Sequence, residues 1–271
     1  VRSARGAALL RHLILGGFSA VIAMPLLWVL RVSLTDKATA YRLPPEIGEI
    51  GLQNYVEVFT AFDFTRWFGN SVTVAVLATL VSLPAAAMMA YAAARFRTGG
   101  WPLMLGVLAS QMIPPIVLVL PMFLVFTTLV PVPGLVAITI AHVAINLPFM
   151  AWIMASFFDA DTRMLEEAAR CDGATRWQAF TRITVPVAMP GIIAAGLLGF
   201  ILSWNEFLYA LLLGNHSSQT LAVGLASLET HAGVNIAPLA AATLLALAPV
   251  LLLLPFLQTY LVKGLSLGAL K

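Results

Sequence analysis

The chain is short of charge. Asp, Glu, Lys and Arg make up 10% of its 271 residues, where a soluble domain carries about 25%. With 61% of residues hydrophobic, a soluble globule of this size would run out of polar surface. That excludes one soluble core and makes a bilayer the natural solvent. Cysteine is nearly absent. Cys171 stands alone, which excludes an intrachain disulfide, and its expected role is that of a small apolar side chain kept reduced. His12, His142, His216 and His231 fall at no ligand spacing, so no metal site is expected. No lysine follows a glycine, so the chain has no Walker A phosphate loop. No nucleophile–base constellation stands out. The chain is expected to be neither an enzyme nor a cofactor carrier, and no nucleic-acid partner is expected.

Long uncharged stretches take the place of charge. Residues 12–30, 67–94, 98–158, 183–205 and 230–262 contain no Asp, Glu, Lys or Arg. A spanning helix needs about 20 such residues. The 98–158 stretch holds two, divided by Pro131-Val132-Pro133-Gly134. The expectation is an all-α membrane protein with six spans, roughly 10–33, 67–94, 101–128, 135–157, 187–213 and 238–262. Arg2, Arg5, Arg11, Arg95, Arg97, Arg163, Arg170, Arg176, Arg182, Lys263 and Lys271 alternate with the Lys- and Arg-free loops near 129–134 and 214–237. The positive-inside rule then puts both termini and the 158–186 loop in the cytoplasm. The 34–66 loop carries Lys37, Arg42 and Arg66, but a long loop translocates largely regardless of charge. The first span imitates a signal peptide ending at Ala38-Thr39-Ala40. Its apolar run is too long for one, and Arg31, Asp36 and Lys37 precede that site.

The expected organisation is an N-terminal part over 1–66, a core membrane domain over 67–262 and a short cytoplasmic tail over 263–271. Pro44-Pro45 and Ile47-Gly48 break any helix in the first loop, while Tyr55-Val56-Glu57-Val58-Phe59 is amphipathic enough to lie on a membrane surface. Met112-Ile113-Pro114-Pro115 predicts a kink in the third span.

A polar island interrupts the apolar second half. Asp161 is positioned to cap a helix over about 162–171. Met164, Leu165, Ala168 and Ala169 share one face of that helix; Glu166, Glu167 and Arg170 project elsewhere. Gly173, between Asp172 and Ala174, supplies a left-handed turn. Thr175-Arg176-Trp177-Gln178 reads as a capping box that opens a second helix. Trp177, Phe180 and Ile183 give that helix an apolar stripe, and Pro186 is expected to end it. An amphipathic helix with aromatic anchors suits the groove of a partner protein.

These residues carry a resemblance. Glu167-Ala168-Ala169, then Gly173, Ile183 and Pro186, match the cytoplasmic motif of ABC importer permeases, with Val185 where Leu is usual. Further features resemble the carbohydrate branch, the maltose-type second permease. They include Asn54-Tyr55, Asn70-Ser71, Ala90-Tyr91-Ala92, Arg95-Phe96, Asn146-Leu147-Pro148-Phe149, Asp172-Gly173-Ala174, Trp204-Asn205-Glu206-Phe207, Lys263-Gly264-Leu265 and Gly268-Ala269. The resemblance covers almost the whole chain. It implies a type I importer fold with a coupling helix between spans four and five. Glu166, Glu167, Ala168, Ala169, Asp172, Gly173, Ala174, Trp177 and Phe180 would then meet an ATPase dimer that holds ATP and Mg. It also implies a homologous second permease, an extracytoplasmic solute-binding protein, and a multi-pass place in a bacterial inner membrane.

Glu206 is the one acid well inside the apolar set. Its charge costs at least ~3 kcal/mol at mid-bilayer, so it should face a cavity or a partner. With Trp204 and Asn205 it offers the stacking plane, amide and carboxylate that suit a sugar. Gln111 and Asn146 are candidates for the same pathway, although for both of them joining helix to helix is the favoured role, while for Glu206 the two roles are evenly balanced. A proton-coupled carrier using Glu206, or a membrane scaffold without a solute, remains an alternative. So does a glycerol-phosphate or polyol as cargo.

Overall fold

The computed structural model describes the backbone of residues 2–40, 50–96, 100–158, 160–230 and 233–269; among these, the side chains of 2–9, 37–38, 100–101, 103–104, 160–161, 229–230, 233–234 and 261–269 are outside the description. The regular secondary structure of the described residues is helical apart from two short strands, Glu229–Thr230 and Gly233–Val234, paired antiparallel, and an isolated bridge between Thr35 and Ile50. Pro44-Pro45 and Ile47-Gly48, expected to break the first loop, lie outside the described residues.

Among the described residues, four helices are long and apolar enough to cross a membrane: Leu10–Leu34, Phe64–Phe96, Gly134–Ala155 and Ile236–Tyr260. A fifth is obtained if Arg176–Val187 and Met189–Trp204, bent by 73° at their junction, count as one. Two of the six expected spans differ from the expectation. The third is interrupted, with Gly100–Ser110 and Pro115–Leu124 separated by Gln111–Pro114. Pro114 has φ −56° and ψ 130°, the extended geometry forced on a residue before proline. The anticipated kink is therefore a full break. The helix resumes at Pro115, where a missing N–H costs nothing, and ends in a π-turn over Val125–Leu129. The fifth expected span, 187–213, stops at Trp204 and restarts at Leu208. The last helix runs through 262 to Ala269.

Contacts divide the chain into two compact units, residues 1–65 with 225–248, and 66–224 with 249–271. In the first unit, Asn54 Nδ2 donates to Ser33 O and Thr35 O, both at 2.9 Å, and Ser33 Oγ meets Tyr55 OH at 2.8 Å. These bonds seat the Gln53–Thr60 helix against the end of the first long helix. Val58 is buried while Val56 and Phe59 are exposed, the amphipathic pattern read from sequence.

In the second unit, a buried cluster joins Ala86, Ala87, Ala90 and Tyr91 to Met150, Ala151, Met154, Phe158, Phe180, Ala188, Ile192 and Ala195. Small residues let helices approach where lipid gives no hydrophobic drive. A Cβ on Gly199 would overlap Met150, and one on Gly191 would overlap the Phe157 ring. Asn70 Nδ2 donates to Ser217 O and Gln219 O at 3.0 and 2.9 Å, and Ser71 Oγ accepts from Leu221 N at 2.8 Å. The second long helix thus holds the loop after Leu213 at its start and the polar island at its end.

Candidate functional site

The polar island forms an elbow. Its first helix spans Ala160–Cys171, so Asp161 lies within the first turn rather than before it, and its side chain is outside the description. The helix closes in a Schellman turn. Ala174 N donates to Ala169 O at 3.0 Å and Gly173 N to Arg170 O at 3.1 Å, with Gly173 at φ 93°. That conformation is cheap only without a Cβ. Thr175 then makes the expected capping box, its Oγ1 accepting from Gln178 N at 3.2 Å while Thr175 N donates to Gln178 Oε1 at 2.9 Å.

The second arm does not stop at Pro186. It passes through a π-turn over Phe180–Thr184, where Val185 N reaches back to Phe180 O, and ends at Val187. The wider turn sits immediately ahead of a residue that has no N–H and whose ring crowds a regular α-turn. Ala188 (φ −80°, ψ 0°) carries the bend.

The elbow has a dry face and a wet one, with an unexpected distribution of side chains. Met164 is 69% exposed and Trp177 65% exposed. Leu165, Glu167, Ala168, Asp172 and Gly173 are exposed too, and Ala169 and Ala174 are half-buried. Phe180 turns inward, 4.5 Å from Tyr91 and 5.6 Å from Trp177 between ring centroids. Glu167 pairs with Arg163 at 2.8 Å in open solvent, a weak contact. Glu166, beside it in sequence, is only 5% exposed.

Glu166 is bound from three sides. Tyr91 OH donates to Oε1, Arg95 Nε donates to Oε2 at 2.8 Å, and Thr184 Oγ1 donates to Oε2 at 3.3 Å. Arg95 also donates to Phe158 O at 3.2 Å and Thr162 Oγ1 at 2.8 Å. Burial alone pushes the Glu166 carboxyl up. The hydrogen bonds from Tyr91 and Arg95 and the Arg95 charge outweigh it and hold the group below the usual carboxylate range. Breaking a buried pair by removing one partner costs roughly 3–5 kcal/mol. Tyr91 stood out in the sequence only as part of the family resemblance, and Arg95 only there and among the arginines that set the orientation. The local clue to their role is an arginine ending a long uncharged helix, which needs an acid or open water.

The pathway candidates are placed differently. Asn146 is buried, with Nδ2 donating to Ser203 Oγ at 2.8 Å. Trp204 is buried, stacked on Phe200 at 5.9 Å and edge-on to Phe68 at 5.4 Å. Glu206 accepts from Tyr209 N at 3.0 Å and Ala210 N at 3.2 Å, capping the Leu208–Leu213 helix, and lies 3.2 Å from His142 Nε2. His142, set aside in the sequence as a metal ligand, thus has a structural partner. Gln111 and Asn205 are exposed. Gln111 Nε2 donates to Ile145 O at 3.1 Å and Asn205 Nδ2 to Ile201 O at 2.8 Å. Asn146, Ser203, His142 and Glu206 form a polar seam between two helices.

Comparison with known proteins agrees with this architecture. The family model for the binding-protein-dependent transport system inner membrane component matches residues 82–267. The trehalose/maltose transport system permease protein of Thermococcus litoralis is 33% identical, over 93% of this chain and 92% of the relative. A probable ABC transporter permease protein of Sinorhizobium fredii is 32% identical over 93% and 91%. A diacetylchitobiose uptake system permease protein of Streptomyces coelicolor is 33% identical over 82% of each. In fold, the chain is similar to a chain of a bacterial ABC transporter involved in import of the acidic polysaccharide alginate, with a TM-score of 0.77 and 22% identity, covering 96% and 98%. Charge-poor composition, broken helices and a capped elbow therefore have one common explanation: the chain belongs to the binding-protein-dependent transport system inner membrane components, and is the non-catalytic, multi-pass inner-membrane permease subunit of an ABC importer.

Proposed function

We propose that the chain forms half of the translocation pathway of a sugar importer, and that the elbow receives the ATPase dimer carrying ATP and Mg. The observation that carries this reading is the exposure of the apolar side chains of Met164, Leu165, Ala168 and Trp177 on a segment anchored through Glu166 and Phe180. An aromatic on a rigid support is the kind of anchor a partner's pocket fills. In this reading the elbow and both termini are cytoplasmic. The Gly100–Ser110 and Pro115–Leu129 pieces together make the third of six spans. A homologous second permease completes the pathway, and a solute-binding protein delivers cargo from the other side. Closure of the ATPase dimer draws the elbows together and rocks the spans toward outward opening.

A sugar cargo is supported by relatives named for trehalose/maltose, diacetylchitobiose and sulfoquinovosyl glycerol transport. It is also supported by the neutral amides of Gln111 and Asn205, which suit hydroxyls better than phosphate. Glu206 is already held by His142 and two backbone N–H groups, which argues against a proton-carrying role. The test is uptake into proteoliposomes containing both permeases and the ATPase, with the binding protein and a panel of labelled sugars. ATP-dependent uptake of a neutral sugar that Trp177→Ala abolishes is the expected result. Uptake that ignores ATP and collapses with an uncoupler refutes it.

A further inference from the structure

The elbow has two covalent neighbours. The Gly134–Ala155 helix leads into it, and the Met189–Trp204 helix leaves it through Ala188. Any displacement of the elbow reaches those two helices through the chain itself. The Phe64–Phe96 helix has no such connection, since Tyr91 and Arg95 lie 75 and 71 residues from Glu166. What joins them is side-chain contact. Part of that contact is apolar, through Ala86, Ala87, Ala90 and Tyr91. Apolar contact is non-directional, and small side chains let one helix slide or roll on another. The Glu166 bonds to Tyr91 and Arg95 are different. They are charge-assisted, buried and fixed in direction.

We infer that Glu166 is a positioning residue for coupling, the strut through which elbow movement is delivered to the Phe64–Phe96 helix. Its receivers are Tyr91 and Arg95. Arg95 in turn holds Phe158 O and Thr162 Oγ1, so it grips both the start of the elbow helix and the segment before it. Thr184 holds the same carboxylate from the second arm. One carboxylate therefore ties both arms of the elbow to a helix that the chain path leaves free. Glu167, about 100° further round the helix and exposed, has the separate task of meeting the partner. The adjacent acids divide the work, one facing outward and one inward.

This inference rests on the elbow being the ATPase contact, and the experiment separates the two ideas. The full importer is reconstituted in proteoliposomes with its binding protein and ATPase. Three quantities are read: ATPase retained on affinity purification, ATP hydrolysed, and solute delivered per ATP. Tyr91→Phe removes one bond and leaves the charges paired. The double variant Arg95→Met/Glu166→Met removes both charges together, a change that buried pairs often tolerate without loss of stability. Both are expected to keep the ATPase bound, with an unchanged KM for ATP and a thermal midpoint near that of the parent. Solute delivered per ATP is expected to fall about threefold for Tyr91→Phe and at least tenfold for the double variant. Trp177→Ala, on the outer face, is expected to lose the ATPase itself.

A parent-like transport ratio in the double variant overturns the strut. Release of the ATPase by the double variant, to the extent seen with Trp177→Ala, also overturns it, because Glu166 would then act in docking. An ATPase that stays bound and fully coupled in Trp177→Ala and Glu167→Ala overturns the underlying assignment of the elbow instead.

Discussion

Gly173 offers a sharp test of whether the elbow's shape matters, because its environment isolates a single energetic cause. Its φ is 93°, and a Cβ built there meets nothing within 4 Å. Substitution creates no clash with a neighbour, so the whole penalty lies in the backbone. A left-handed conformation costs an ordinary L-residue about 1–2 kcal/mol. That is a factor of roughly 5–30 in the population of the formed turn. Asn tolerates the conformation better than Ala. Pro would fix φ near −65° and remove the N–H that now bonds Arg170 O at 3.1 Å. The expected order of turn integrity is Gly, then Asn, then Ala, then Pro. Hydrogen exchange of the peptide containing residues 172–175 reads the opening directly, and it should accelerate for Ala by the same 5–30-fold. ATP-driven uptake should follow the same ranking and be abolished by Gly173→Pro. Ala protected as well as Gly, or full transport by Gly173→Pro, would show that the turn geometry is irrelevant to function.

Gly199→Val should drive its Cβ into the Met150 side chain and lower stability by about 1–3 kcal/mol, read by thermal unfolding in detergent; adding Met150→Ala should recover much of the loss. Glu206→Ala removes a charged acceptor from Tyr209 N, Ala210 N and His142, and should cost about 1.5–3 kcal/mol with little change in the KM for solute. A raised KM with unchanged stability would instead place Glu206 in the pathway. The Glu166 carboxyl is held below its usual range, so its contribution is complete at and above the ordinary carboxylate pKa of about 4.3 and is lost only as pH falls through the lower, folded-state value. A fluorophore on the lone, exposed Cys171 should therefore report a steady elbow from neutral pH down to that range and a transition only below it, absent in Glu166→Gln.

Much of the elbow was legible because its signals are local. The capping box at Thr175 and the left-handed turn at Gly173 depend on residues within a few positions, and both formed as expected. Glu166 was not legible. It and Glu167 are chemically identical, and only the approach of Tyr91 and Arg95 from a distant helix decides which is buried. The long uncharged stretches identified the membrane helices, but composition cannot register where a helix breaks. Hydropathy is continuous through Gln111–Pro114 and nearly so through Asn205–Phe207, while the backbone interrupts at both. At the first, consecutive prolines force extended geometry. At the second, Glu206 caps a new helix rather than continuing the old one. The same capping explains why residues that looked like a sugar-binding set are in part internal fastenings.

The 73° bend at Ala188 makes the two arms a crank with unequal throws. At 1.5 Å per residue, the arm over Arg176–Val187 is about 18 Å long and the one over Met189–Trp204 about 24 Å. A rotation of about 10° about that pivot sweeps the tip of the shorter arm by about 3 Å and the tip of the longer by about 4 Å. The geometry is a gain stage, with the larger excursion arriving at Trp204, the far end of the longer arm.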